Sequence, residues 1–356
     1  MLGSAMFVTG VGTAVPPRQY SQRECWEEFR RSPHYWSLGA PGRLLLDRVL
    51  LGEHGVSTRH LALDHLGDAL EIDPDILYRR FLTHAPELAT RAARSALAQA
   101  GLDARDLDAL LISTCTGYLC PGLTSYVGER LGLRSDVLAL DLVGQGCGAA
   151  LPNLRTAHAL LQGSCEHVLS ICVEVCSAAL YVDDDPGVLV SACLFGDGAA
   201  AAVSSNHSRE GQRKVQWLGS VSHNEPAARD KLRMESRRGL LRNILSREVP
   251  ALAGEHASQV LARGLEEHGL ERSDIGAWLW HAGGRTVLER LRAATGLDEG
   301  HTRRSAELLA RFGNLSSPFV LFVLAAALAE RERPGLWWMS SFGAGFSCHG
   351  ALLRVS

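Results

Sequence analysis

Strand-like apolar runs and helical periodicities alternate along nearly the whole chain, and that rhythm admits few architectures. Ala109–Thr114 reads as a buried strand, Leu123–Leu131 as a helix and Val137–Leu142 as a second strand. A glycine-rich turn, VGQGCGAA, then leads into a helix from about Ala149 to Gln162, followed by a strand at Val168–Val175. Upstream, Met6–Gly10 predicts a strand ending in the turn GVGTAVPP, and Leu88–Ala100 a helix stopped by Gly101. Downstream, LFGDGAAAAV predicts a turn at Gly196–Gly198 and a strand of small residues, and Gln216–Val221 one more strand. The rhythm then repeats. His256–His268 is helical, Ala277–His281 a strand, and Thr286–Thr295, Ala306–Phe312 and Ser317–Glu330 are helices. Leu336–Ser341 and Phe346–Val355 close the chain as strands joined by the turn FGAGF. The expectation is an α/β protein of two similar halves, residues 1–205 and 206–356, with sheets layered between helices.

Composition narrows the function. The 356 residues are 46% hydrophobic and 21% charged, enough to bury a large core and too apolar for a disordered chain. The net charge is −3 and only Lys214 and Lys231 are lysines, so no strong basic field exists and a nucleic-acid partner is not expected. No apolar run reaches the ~18 residues that span a bilayer, and MLGSAMFVTG lacks a basic flank and an apolar signal core. A cytoplasmic protein without membrane insertion is expected. The nine cysteines are odd in number, and several sit within apolar runs. No disulfide framework and no cysteine-based zinc site is expected, and most of these thiols read as inert core residues. The run Asp183–Asp185 lacks the spaced oxygens of a calcium loop and reads as a solvated turn. FGDG and FGAG are turns, not nucleotide loops, since no GxGxxG follows a strand.

Cys147 stands apart. It lies between a strand and a helix in GQGCGAA, where unpaired N–H groups and the helix dipole favour a thiolate. Alone, it could equally be a small buried core thiol. Two residues change the weighing. His281 ends an apolar strand in WLWHAGGRTVLERL, a place where catalytic side chains collect in α/β proteins. Asn314 in RFGNLSSPFVLF sits between two helices, where the bland reading is an N-cap. Together they suit thioester chemistry: a thiolate holds an acyl group, while histidine and asparagine donate hydrogen bonds to a thioester oxygen and stabilise an enolate. A hydrolytic Cys/His/Asn site would use the same residue types.

In its motifs the sequence resembles the type III polyketide synthases of the chalcone and stilbene synthase kind, within the thiolase-fold condensing enzymes. GVGTAVPP, CTGYLCPG, GQGCGAALPNLR, LFGDGAAAAV, WHAGGRTVLERL, GNLSSPFVLF and FGAGF carry the resemblance along nearly the whole chain, in family order and spacing. It implies a five-layered αβαβα duplication, a homodimer, and no metal or organic cofactor. It implies Cys147 as nucleophile with His281 and Asn314 completing a triad, and acyl-CoA and malonyl-CoA as substrates reaching a buried cysteine. The implied product is a pyrone, resorcinol or other aromatic polyketide made by decarboxylative condensation. Phe195 matches the family aromatic between tunnel and cavity, and Cys120 the position that reaches into a neighbouring subunit's cavity. Gly343 and Gly345 match a glycine loop that shapes the cavity, and Cys115 and Cys176 are further candidate cavity residues, for which a packed core thiol is the plainer reading.

Departures from the family pattern matter as much. The glycine loop reads SFGAG where the family often has GFGPG, so Ser341 and Ala344 replace glycine and proline. The second family aromatic beside the catalytic cysteine falls on Asn243, which would open the cavity or add a hydrogen-bond donor. Cys172 and Cys176 lie four apart on a predicted strand, hence on one face. Arg43 and Arg48 are candidate phosphate contacts, but Asp47 and Glu53 interleave with them and a solvated charged face is the plainer reading. Delivery by coenzyme A or by an acyl carrier protein both stay open. The rivals are a single-condensation enzyme like beta-ketoacyl-carrier-protein synthase III, an acyl transferase or acyl-binding subunit that does not extend, and a cysteine hydrolase. Glycines at 283 and 284, where synthase III enzymes typically carry an asparagine, favour the polyketide synthases. The small side chains at Cys115, Cys176 and Asn243 predict a roomy cavity tolerant of medium or long acyl starters.

Overall fold

The computed structural model describes residues 5–52, 55–211 and 213–356. Glu53 lies outside them. Strands β1 (Met6–Ala14), β2 (Gln19–Ser21), β3 (Thr58–His60), β4 (Ala109–Thr114), β5 (Leu138–Val143), β6 (His167–Glu174) and β7 (Gly198–Ser205) precede residue 206. Strands β8 (Val215–Asn224), β9 (Leu232–Arg237), β10 (Leu240–Leu245), β11 (Ile275–Trp280), β12 (Gly335–Gly343) and β13 (Ser347–Val355) follow. Nine of them form one hydrogen-bonded ribbon in the order β11-β12-β13-β8-β1-β7-β6-β4-β5.

The ribbon contains a repeat. β4 and β6 run parallel, while β6–β7 and β7–β1 are antiparallel. In the second half β11 and β12 run parallel, while β12–β13 and β13–β8 are antiparallel. The halves join where β1 pairs with β8 through Met6–Trp217 and Phe7–Gln216. β5 has no counterpart among the described strands of the second half. Among the described strands it pairs only with β4, and it is the strand that delivers the chain to Cys147.

Helices complete the layers. Pro74–Ala100 packs on β1, β6 and β7, and Val249–Glu267 on β8, β12 and β13. Between the halves, Ala150–Leu161 and Phe319–Ala329 each touch strands of both. Phe319–Ala329 is apolar all round, FVLFVLAAALA, as a helix enclosed by two sheets must be. The result is an αβαβα stack, the thiolase-like duplication.

Several elements differ from the sequence reading. β1 runs on to Ala14, so GVGTA is strand, not turn. Its glycines serve packing: a Cβ at Gly10 would stand 2.1 Å from the Ala96 carbonyl oxygen, and one at Gly12 2.2 Å from that of Ala92. The helix ending at Ala100 begins at Pro74, where Asp73 caps it, and stops at Gly101 with φ 63°. The polar stretch after His223 folds into the hairpin β9–β10, turned by Arg238 and Gly239 at φ 53° and 81°. Cys176 lies beyond the end of β6, in a one-turn helix, so it does not share a strand face with Cys172.

Candidate active site

Beyond β5 the chain turns sharply, with Gly144 at φ 86° and Gly146 at φ 56°. These left-handed conformations suit glycine and put Cys147 in a short helical turn ahead of the helix Ala150–Leu161. The turn is braced from β12. Ser341 Oγ donates to the Gly148 carbonyl at 3.0 Å. A Cβ at Gly343 would meet the Gly148 nitrogen at 2.3 Å. Gly343 is therefore needed for contact with the nucleophile turn, and the residue of its loop that reaches the cavity is Ala344.

Around Cys147 a chain of polar contacts runs into the second half. Ser316 Oγ donates to Cys147 Sγ at 3.2 Å. Asn314 Oδ1 accepts from the Ser316 N–H at 2.8 Å, and Asn314 Nδ2 donates to the Gly283 carbonyl at 3.3 Å. Asn314 is not an N-cap; the helix beyond it begins at Phe319. Its backbone joins LFGDG: its N–H donates to Leu194 and its carbonyl accepts from Gly196. Two residues before Gly283, His281 is buried between Phe319 and Phe342, whose rings stand edge-on at 5.5 and 4.9 Å. Among the described residues, neither ring nitrogen of His281 has a hydrogen-bond partner. Phe342 precedes Gly343, so the residue packed on His281 adjoins the one pressed against the Cys147 turn.

Electrostatically the site runs against the expected thiolate. Burial pushes the Cys147 thiol up to about 11, the Ser316 hydrogen bond acts in the opposite direction, and the Glu174 charge adds to the rise. Burial alone pushes His281 down to about 3. Each group on its own is neutral, because desolvation outweighs the helix terminus.

Cys147 and Ser316 line a cavity of about 430 Å³, within the size range of small-molecule sites. Cys115, Cys176, Phe195 and Asn243 line it too, as the sequence suggested. Cys120 does not; it is exposed on the loop after β4. His281, Asn314, Gly343 and Gly345 lie outside the lining. Behind Cys115 sits Glu174, fully buried, which accepts from Thr116, Ser317 and the Cys115 N–H at 2.8, 2.6 and 3.0 Å. Burial raises its carboxyl, with those hydrogen bonds opposing. Sequence reasoning missed Ser316 and Glu174. GNLSS carried the serine, but only tertiary contact reveals what it touches.

The cavity's outer wall is the hairpin β9–β10, with Leu232, Met234 and Leu241 beside Asn243. Asn243 Nδ2 donates to Ser191 Oγ at 3.1 Å, tying the hairpin to the helix Pro186–Leu194. Arg242, 11% exposed, pairs with Asp183 at 2.9 Å and Asp185 at 3.3 Å. Asp185 also caps that helix, and Asp184 accepts from the Gly39 N–H at 2.9 Å. The acidic run is thus a clamp rather than a solvated turn. Asp47 is likewise engaged, accepting from Trp26 Nε1 at 2.7 Å and from the Tyr35 hydroxyl at 3.0 Å. Arg43 donates to the Leu38 carbonyl and lies over Trp36, while Arg48 is exposed.

Comparison with known proteins identifies the family. Residues 69–262 match the model of the FAE1/type III polyketide synthase-like proteins, and residues 226–355 that of the chalcone and stilbene synthase C-terminal domain. The chain is 34% identical to 1,3,6,8-tetrahydroxynaphthalene synthase of Streptomyces peucetius subsp. caesius, over 98% of this chain and 92% of the relative. It is 35% identical to 3,5-dihydroxyphenylacetyl-CoA synthase of Amycolatopsis balhimycina, over 97% and 92%. The crystal structure of 1,3,6,8-tetrahydroxynaphthalene synthase from Streptomyces coelicolor A3(2) superimposes with a TM-score of 0.86 at 26% identity, covering 98% of this chain and 99% of that one. The chain belongs to the type III polyketide synthases, decarboxylating acyl-transferring condensing enzymes that need no cofactor beyond their coenzyme A thioesters.

Proposed function

We propose that the protein loads an acyl starter from its thioester onto Cys147 and extends it with malonyl-CoA, and that the extended chain cyclises to a pyrone, resorcinol or related aromatic product. The observation that carries this reading is the meeting of Cys147 and Ser316 at the wall of a 430 Å³ cavity, with Ser316 joined through Asn314 to Gly283, two residues beyond His281. In loading, the Cys147 proton passes to His281 as sulfur attacks the starter carbonyl, and the departing thiolate takes that proton. In extension, malonyl-CoA loses carbon dioxide and the bonding electrons form an enolate. Its oxygen accepts from His281 and from the N–H of Asn314 Nδ2 that Gly283 does not use. The enolate carbon attacks the acyl-cysteine, a carbon–carbon bond forms, and the sulfur leaves as thiolate. Cys115, Cys176, Phe195 and Asn243 bound the growing chain, and the open cavity supports medium or long starters.

The working unit is a homodimer in this reading. β5 leaves its outer edge unpaired among the described residues, with Leu138 and Val143 42% and 55% exposed. Cys120 and Tyr118 stand exposed on the neighbouring loop, where Cys120 is available to the second subunit's cavity. The halves divide as 1–205 and 206–356. Arg43 and Arg48 offer contacts for a coenzyme A or carrier-protein phosphate. No helix among the described residues is long and apolar enough to cross a membrane, in keeping with a cytoplasmic enzyme.

The test is mass spectrometry of products from malonyl-CoA and a panel of acyl-CoA starters, with Cys147→Ala beside wild type. Pyrones or resorcinols that vanish in Cys147→Ala are expected. A single beta-ketoacyl product would instead identify a one-step condensing enzyme, and acylated Cys147 without extension an acyl transferase.

A further inference from the structure

About the far end of β8, three side chains converge that the condensation does not use. His223 lies on β8 and pairs in register with Cys348. Glu225 follows two residues later, just past the end of β8. Its backbone is fixed in both directions by Phe346: the Glu225 N–H donates at 2.8 Å and the Phe346 N–H returns a bond at 3.1 Å. His256 approaches from the helix Val249–Glu267. Its Nε2 lies 2.8 Å from Glu225 Oε2, and its ring centroid is 4.4 Å from that of His223. One ligand atom from each of the three lies within 4.8 Å of the others.

We propose that His223, Glu225 and His256 form a binding site for a borderline divalent transition-metal ion of the zinc class. Two imidazoles and one carboxylate are the donor set that such ions prefer, whereas calcium and magnesium prefer oxygen alone. A simple hydrogen-bonded pair accounts for Glu225 and His256 but gives no reason for the His223 ring to sit against them. His256 is buried, while the Glu225 side chain is 42% exposed, so solvent reaches the site and can complete the coordination. The ion would fasten the end of β8 to the outer helix. The clip also bears on the catalytic layer from a distance: Phe346 packs on His256 at 5.4 Å and on Phe342 at 6.4 Å, and Phe342 packs on His281. It takes no part in the condensation.

The test is titration of metal-stripped, tag-free protein with Zn²⁺ by calorimetry and with Co²⁺ by absorption, together with thermal melting. One equivalent per chain is expected, with a cobalt spectrum free of thiolate charge transfer and a rise in Tm on adding Zn²⁺. His256→Ala opens a buried hole and can fail to fold, so the more exposed members carry the test. His223→Ala and Glu225→Gln should each weaken binding by more than about tenfold and abolish the Tm rise. Absence of binding, a thiolate band pointing to the cysteines, or affinity unchanged in both variants would overturn the proposal.

Discussion

At Cys147, burial and reactivity pull in opposite directions. Taken alone, the thiol is held near 11 and the His281 ring near 3, both neutral at physiological pH. In the proposed loading step a proton moved from sulfur to imidazole makes two charges at once, each the counterion of the other, so the two groups would ionise as a pair. This gives a signed prediction. In wild type, iodoacetamide should alkylate Cys147 at neutral pH. In His281→Ala the thiolate must form alone, so the alkylation rate should rise only as pH climbs toward about 11. Coincident pH profiles for the two proteins would remove His281 from the ionisation. Among the described residues Ser316 supplies the one side-chain hydrogen bond to the sulfur, and it favours the thiolate. Hydrogen bonds to charged groups contribute ~1.5–3 kcal/mol, so Ser316→Ala should slow starter loading by roughly ten- to a hundredfold. Single-turnover acylation followed by intact-mass spectrometry measures it, and loading within twofold of wild type would contradict the role.

Among the elements, the hairpin β9–β10 shows what the sequence could not convey. Its residues face cavity, solvent and neighbouring helix in turn, so they give neither clean alternation nor an apolar run, and the stretch reads as merely polar. The resemblance nonetheless singled out Asn243, and in the structure this side chain lines the cavity and bonds Ser191. Asn243→Phe should place a ring where the amide now stands and shift product formation toward shorter starters. Competition among acyl-CoAs of graded length, read by mass spectrometry, checks this; an unchanged distribution would show that the hairpin does not limit the chain. The central strands and their connections were legible because local cues suffice for them. Ala109–Thr114 and Leu123–Leu131 appear with the limits read from apolar runs and glycine stops. Gly10 and Gly12 misled because glycine marks both turns and close packing, and only the partner helix separates the two. For the same reason Gly12→Ala should yield little soluble protein, since its Cβ would stand 2.2 Å from the Ala92 carbonyl oxygen.

For the molecule as a whole, the unresolved tension is at β5. An edge strand carrying exposed Leu138 and Val143 is what soluble proteins generally cover or interrupt with charge. Here only Asp141 offers charge, and it is turned to the start of the helix Leu123–Leu131, accepting from Thr124 Oγ1 at 2.5 Å. The same strand leads through Gly144 and Gln145, both exposed, into the turn that holds Cys147. In the proposed homodimer this surface, apolar, unpaired among the described residues and continuous with the nucleophile, would be covered by a second copy of itself, which satisfies both edges through one twofold axis. Light scattering after gel filtration should therefore give twice the chain mass. Leu138→Lys should move the protein toward monomer, with a concentration-dependent Tm. If the second copy holds the turn in place, activity should fall in step with the dimer fraction and return as protein concentration rises. A wild-type protein that is monomeric and fully active would show that one chain completes its own site, and that β5 is covered by something other than its twin.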